Sequence, residues 1–324
     1  MNPKKVNWLF LTTLLVEAAV MAFMYLCSDI SLGIIESLLL SQLIVLVPAV
    51  LFLFGTRTDP GRLIAHNRPK FTTALLVVVF TFLCMPAIIA VNAFSMLFST
   101  NYVAEESTML FVDNEVAGLQ SYMLSVPWWQ ILLMVGIIGP VSEEFVFRGV
   151  IYHGYKTSQR FVGSMLLSAL LFGLTHLNFN QMSYAVLVGI VSVLLLEGSG
   201  SIFYSMLFHI CINTTNVVQM LVQKAQGTIM SQEESMAYIE RTMQMPYKQA
   251  LAVSVSVYAV IAAGAAALAG CLLYLIVKKE NRVQHMQQLL HGNTGEKRTK
   301  LISVPLVISV VLCLLYMTAD VFWG

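Results

Sequence analysis

Residues 141–150 read VSEEFVFRGV and set two carboxylates and a guanidinium inside a run otherwise made of Trp, Ile, Leu, Met, Val and Gly. Glu144 and Arg148 are four apart, so on a helix they share a face and can pair. Glu143 is rotated by about 100° from Glu144, and one arginine cannot hold both equally. One carboxylate is then paired and the other is free for chemistry. A second patch, LLFGLTHLNFN at 170–180, sets Phe172 and His176 one turn apart. A third, SMLFHICINTTN at 205–216, puts His209 and Asn213 on one helical face with Asn216 a turn further along. Ser and Thr can bond back to their own helix, but His and Asn need partners from elsewhere. Taken singly, each patch also has an ordinary reading: a charge cluster at a membrane border, a packing histidine, a hydrogen-bonded carboxamide.

The elements that must position these residues are membrane helices. The chain is 58% hydrophobic and 11% charged, with a mean hydropathy of +0.78, whereas a soluble domain is usually about a quarter charged. No basic face interleaved with aromatics supports nucleic acid binding. The five cysteines lie in apolar stretches at no repeated spacing, so they read as packing residues and not as a disulfide framework or a CxxC metal site. A hydrocarbon core of roughly 30 Å takes about 20 helical residues. Segments of about that length fall near 7–27, 34–55, 72–98, 128–152, 162–178, 181–197, 201–222, 250–277 and 302–323. The expectation is an all-α polytopic transmembrane helix bundle of about nine helices. The first follows Lys4 and Lys5 but has no small-residue cleavage site and carries Glu17, so it reads as a retained helix.

Charge placement orients the bundle. With the N-terminus cytoplasmic, most Lys and Arg fall on the inner side, from Lys4 and Lys5 through Arg57–Lys70 and Lys156–Arg160 to 278–300. Only Lys224, Arg241 and Lys248 fall outside, as the positive-inside rule requires. The acidic loop 100–127, with Glu105, Glu106, Asp113 and Glu115, is then external. The turn TRTDPGRLIAHNRPK and the longer KKENRVQHMQQLLHGNTGEKRTK serve orientation and anionic lipid contact. The second has room for a short surface helix, and SQEESMAYIERTMQM reads as an amphipathic interface helix or a solvated loop. Three regions of one integral unit follow: 1–124, 125–222 with every chemical patch, and 223–324.

At a rise of about 1.5 Å per residue, Glu143, His176 and His209 all come out roughly 12 to 20 Å from the inner ends of their helices. One polar site in the inner half of the bilayer can therefore contain them. A glutamate in a dry cavity can take a proton from water, and a histidine can orient that water or protonate a leaving amine. A second histidine with an asparagine N–H can stabilise the oxyanion of a tetrahedral intermediate. That is peptide hydrolysis without a covalent nucleophile.

In this order on successive helices, Glu-Glu-x-x-Phe-Arg-Gly at 143–149, Phe-x-x-x-His at 172–176 and His-x-x-x-Asn at 209–213 resemble the CPBP family. These are the CAAX-protease and bacteriocin-processing intramembrane endopeptidases, also called the ABI or type II CAAX prenyl protease family. The resemblance covers about residues 125–222, and no motif position departs from the pattern. It implies that Glu143 activates water with His176 as its partner. It implies that His209 and Asn213 form the oxyanion hole, and that Glu144, Arg148 and Phe172 support the site.

The family is often labelled a metalloprotease. A zinc ion would take Glu143, His176 and His209, with Asn213 at the margin, but no HExxH and no Cys ligand is present. Metal-free, glutamate-dependent hydrolysis is the expectation and zinc the alternative. The implied substrate is a membrane-embedded or lipidated peptide, although nothing in the sequence shows prenyl recognition. The implied setting is a prokaryotic plasma membrane. A different class of function, a non-catalytic bacteriocin immunity or peptide-binding protein, would use the same cavity without needing Glu143 as a base. A proton-coupled transporter lacks support, because no repeat symmetry is visible.

Overall fold

The computed structural model describes residues 1–27, 31–64, 67–102, 125–230, 232–291 and 298–323. Among them every regular element is a helix. In chain order these are α1 Pro3–Leu26, α2 Ile34–Thr56, the single turn α3 Gly61–Ile64 and α4 Phe71–Tyr102. A long composite helix, α5, runs over Trp128–Lys156. Then come α6 Phe161–Leu174, α7 Phe179–Ser199, α8 Ile202–Gln226, α9 Gln232–Met243, α10 Tyr247–Lys279, α11 Val283–His291 and α12 Val304–Trp323.

Seven of these, α1, α2, α4, α5, α7, α8 and α10, are long and apolar enough to cross a membrane. The protein is a multi-pass membrane protein. Helix α6 and the apolar part of α12 are shorter, and they occupy the positions of the remaining two expected spans. The bundle is apolar on its outside as well as within: Phe54, Phe71 and Val260 are each at least three-quarters exposed, as expected where lipid replaces water. The amphipathic readings correspond to α9 and α11. The acidic residues of the expected loop, Glu105, Glu106, Asp113 and Glu115, lie outside the described residues.

Basic segments distant in sequence meet at one end of the bundle. The Asn7 carboxamide donates to Leu301 O (2.8 Å) and Ser303 Oγ (2.7 Å) and accepts from Tyr155 Oη. Arg160 Nε donates to Thr299 O (3.2 Å), and Asn67 Nδ2 to Ser199 O (2.9 Å). Lys70 pairs with the buried Glu280 at 2.9 Å. At the C-terminal end of α7 the buried Glu197 takes hydrogen bonds from Tyr152 Oη (2.9 Å) and Lys156 Nζ (2.5 Å). His285 Nε2 of α11 lies 2.6 Å from it. These contacts fasten the surface helix α11 to the spanning helices. They also put the start of α1, the end of α5 and the starts of α6 and α12 on the side that the charge pattern assigns to the cytoplasm.

Candidate active site

Helix α5 changes its winding twice. It is α-helical over Trp128–Ile131, wound as a π-helix over Leu132–Ile138, α-helical over Gly139–Glu144, π again over Phe145–Tyr152 and α-helical over His153–Lys156. Pro140 gives the first wide stretch a cause. It has no N–H, and its ring crowds the carbonyl of Gly136 four residues earlier. Helix α8 answers the loosened carbonyls: Asn213 Nδ2 donates to Val135 O at 3.1 Å and Thr214 Oγ1 to Gly136 O at 3.5 Å. Glycine at 136 permits this approach, since a Cβ there would stand 3.1 Å from Thr214 Oγ1. The two glutamates occupy the short α-helical piece between the π stretches, in keeping with the frequency of π turns at functional sites.

The structure separates the glutamates by environment. The Glu144 side chain is fully buried, whereas that of Glu143 is 21% exposed. Arg148 Nη1 and His209 Nδ1 lie 3.0 and 3.1 Å from Glu144 Oε1, and Ser192 Oγ donates to the same oxygen at 3.3 Å. Ser205 Oγ donates to the other oxygen. The Arg148 contact is a charge pairing without hydrogen-bond alignment, and its guanidinium carbon sits 4.4 Å over the Phe172 ring, a cation–π placement. Room for the guanidinium comes from Gly189 of α7, where a Cβ would meet Arg148 Nη2 at 3.3 Å and Ala169 Cα at 2.8 Å.

Phe172 is the hub of the arrangement. The His176 ring lies edge-on to it at 5.2 Å and the His209 ring at 5.6 Å, with Phe147 at 5.1 Å on another side. His176 Nδ1 lies 3.0 Å from Phe172 O. A carbonyl only accepts, so this bond puts the proton on Nδ1 and leaves Nε2 as an acceptor. His209 has the opposite surroundings, with a carboxylate on each side: Nδ1 faces Glu144, and Nε2 lies 3.8 Å from Glu143 Oε2.

Glu143, His176, His209 and Asn213, with Phe172, line one cavity of about 250 Å³. Glu144 and Arg148 stand behind its wall. The seven residues given a site role from the sequence thus belong to one constellation, and Asn216 lines the same cavity, but His176 is not within a helix as expected. Helix α6 stops at Leu174, four residues short of the expected 178. Leu177 takes a positive φ of 50°, and the Asn178 side chain caps α7 by accepting from Asn180 N and Gln181 N. His176 therefore sits in a tight turn held by its own N–H to Gly173 O (3.2 Å).

Several contributors went unread in the sequence. Gln181 and Tyr184 line the cavity, and their spacing of three on α7 was the available signal. Ser205, one turn before His209, had a similar signal. Ser192 had none, nor did Gln42 of α2, which accepts from Ser142 Oγ beside Glu143. Among the described residues, no three or more His, Cys, Asp or Glu side chains gather into a metal-holding group.

Residues 125–215 match the family model described as type II CAAX prenyl endopeptidase Rce1-like, and this stretch holds all three motifs. Among curated proteins, the chain is similar to one named "Putative membrane peptidase YdiL" from Bacillus subtilis (strain 168), at 24% identity over 90 residues. The similarity covers 28% of this chain and 37% of that protein. No solved structure matches the chain.

Proposed function

We propose that this protein is an intramembrane endopeptidase that hydrolyses a peptide bond in a membrane-associated or lipidated peptide, using water activated by Glu143. The observation that carries the reading is the unequal burial of the two glutamates. Glu144 is sealed and committed to Arg148, His209 and two serines, while Glu143 opens on a cavity shared with His176, His209 and Asn213. The matches to the Rce1-like family model and to a protein named as a membrane peptidase support the same class of chemistry.

In this mechanism a water held between Glu143 and His176 Nε2 gives its proton to the Glu143 carboxylate as its oxygen attacks the substrate carbonyl. The oxyanion that forms accepts from the second N–H of Asn213 and, when His209 carries two protons, from its Nε2–H. Collapse breaks the C–N bond, and the departing amine takes a proton from Glu143. Glu144 keeps the Nδ1 side of His209 occupied, and Arg148 balances the buried carboxylate. The membrane proposed is a prokaryotic plasma membrane, with the basic end of the bundle cytoplasmic.

Glu143→Gln keeps the size of the side chain and removes the base. Comparing new peptide termini in membranes carrying the native or the Glu143→Gln protein tests the reading without a guess at substrate. Loss of specific termini by at least about 100-fold is expected. Identical termini at equal expression, with any phenotype retained, would make the protein a peptide binder. Once a cleaved peptide is known, cleavage at unchanged rate after dialysis against a strong chelator is expected for the metal-free mechanism.

A further inference from the structure

Helix α2 packs along the composite helix α5 and brings one carboxamide to the site. Ser37 and Ser41 of α2 bond back to their own helix, at 3.0 Å to Gly33 O and 2.8 Å to Leu38 O. Gln42 reaches across instead, and its Oε1 accepts from the hydroxyl of Ser142, the residue before Glu143. That hydroxyl also lies 2.9 Å from Gly139 O, but it has one proton to give. Gly139 keeps a gap open beside it. A Cβ there would stand 3.6 Å from Gln42 Nε2 and 3.9 Å from Glu143 Oε1, so the amide nitrogen and this carboxylate oxygen border one small space. The other oxygen, Oε2, is the one 3.8 Å from His209 Nε2.

We infer that Gln42 is a positioning residue for Glu143: its Nε2–H, aimed by Ser142, holds Oε1 and leaves Oε2 to the cavity. The inference rests on the proposed endopeptidase for what the held carboxylate then does. The direction of the amide follows from which atoms can donate. With Oε1 on the Ser142 hydroxyl, Nε2 faces the gap and meets an acceptor. A flipped amide would set two acceptors, its own oxygen and the carboxylate, against each other. The last torsion of a glutamate is broad, so an untied carboxylate has no fixed direction. A base that must take a proton from one water gains from being tied, because misplacement by about 1 Å costs on the order of 100-fold in rate. Gln42 lies outside residues 125–215, the stretch that matches the family model. The site is then incomplete without α2, which that stretch does not contain.

Gln42→Met keeps the length and bulk of the side chain and removes the amide. Ser142→Ala keeps the amide and removes the group that aims it. Each full-length variant, carrying isotope-labelled glutamate, is placed in phosphatidylcholine vesicles. The carboxyl bands of Glu143 are taken as the infrared difference from the same protein with Glu143→Gln added. Both variants should shift those bands relative to the native protein, whether or not a peptide is cut. A pool of lipid-anchored randomised nonapeptides is the cleavage probe. Initial rates should fall at least about tenfold in each variant. The factor should be the same at limiting and saturating pool, which means a lower kcat at unchanged KM. Thermal unfolding in detergent should stay where it is in the native protein.

Shifted bands without cleavage by the native protein would sink the endopeptidase reading and leave the hold of Gln42 on Glu143 standing. Unshifted bands would overturn the inference whatever the variants did to the rates: with cleavage retained Gln42 is idle, and with cleavage lost its role is only structural. Shifted bands at unchanged rates would keep the contact and overturn its positioning role. Unshifted bands with no cleavage by the native protein would reject both readings. If Gln42→Met fails to fold, the bands and rates of Ser142→Ala decide alone.

Discussion

Glu144 and Arg148 are both wholly buried, and the cost of such a pair shows when one member is removed. Arg148→Met should leave an uncompensated carboxylate and destabilise the protein by about 3–5 kcal/mol. Adding Glu144→Gln should recover most of that loss, because the neutral amide still accepts from Ser205 and His209. Thermal unfolding in detergent would check the recovery. Peptide cleavage, in contrast, should not return, since the Nδ1 side of His209 no longer faces a charge. This pair was readable from sequence because both members lie on one helix four residues apart. The serines that complete the shell of Glu144 were not, because a membrane serine usually satisfies itself on its own helix, and Ser192 and Ser205 come from two other helices. From helical spacing the difference between the two glutamates was readable only as a need for one to be free, and it was the family resemblance that pointed to Glu143. The structure seals the Glu144 side chain and leaves that of Glu143 21% exposed.

Among elements, the composite helix α5 and the close pair α6 and α7 govern where the side chains arrive. Gly189 is a close point between α6 and α7, with the backbone of Ala169 at 2.8 Å from the place a Cβ would take. Gly189→Ala should force the helices apart and lower stability by about 1–3 kcal/mol. Cleavage should fall with it, because the same displacement moves the wall against Arg148. Gly264→Ala on α10 is the control, since its Cβ meets nothing within 4 Å. It should be neutral or slightly stabilising through better helix propensity. The spans were legible from runs of apolar residues, and most boundaries fall within a few residues of the helices observed. The winding of α5 was not legible, as hydropathy is blind to the difference between α and π turns. Pro140, four residues after Gly136, was the only local sign. The early end of α6 was hidden for a similar reason: Leu177 continues the apolar run even though the chain has already turned.

For the molecule as a whole, the short α6 has a consequence in the membrane around it. Fourteen residues span about 21 Å at helical rise, against a hydrocarbon layer of roughly 30 Å. The turn that follows carries Thr175, His176 and Asn178, groups that lipid tails cannot solvate. Hydrophobic mismatch of this kind is relieved by thinning the bilayer beside the short element, or by drawing water down onto the turn. Under the proposed hydrolysis, either relief would deliver the second reactant to His176 from the face opposite the basic end, and the lipid would become part of the water supply. Hydrolysis in reconstituted vesicles should therefore quicken as the acyl chains are shortened from 22 to 14 carbons (lengths chosen to bracket about 30 Å), while thermal stability need not follow. A rate indifferent to chain length would mean that water reaches Glu143 by another path.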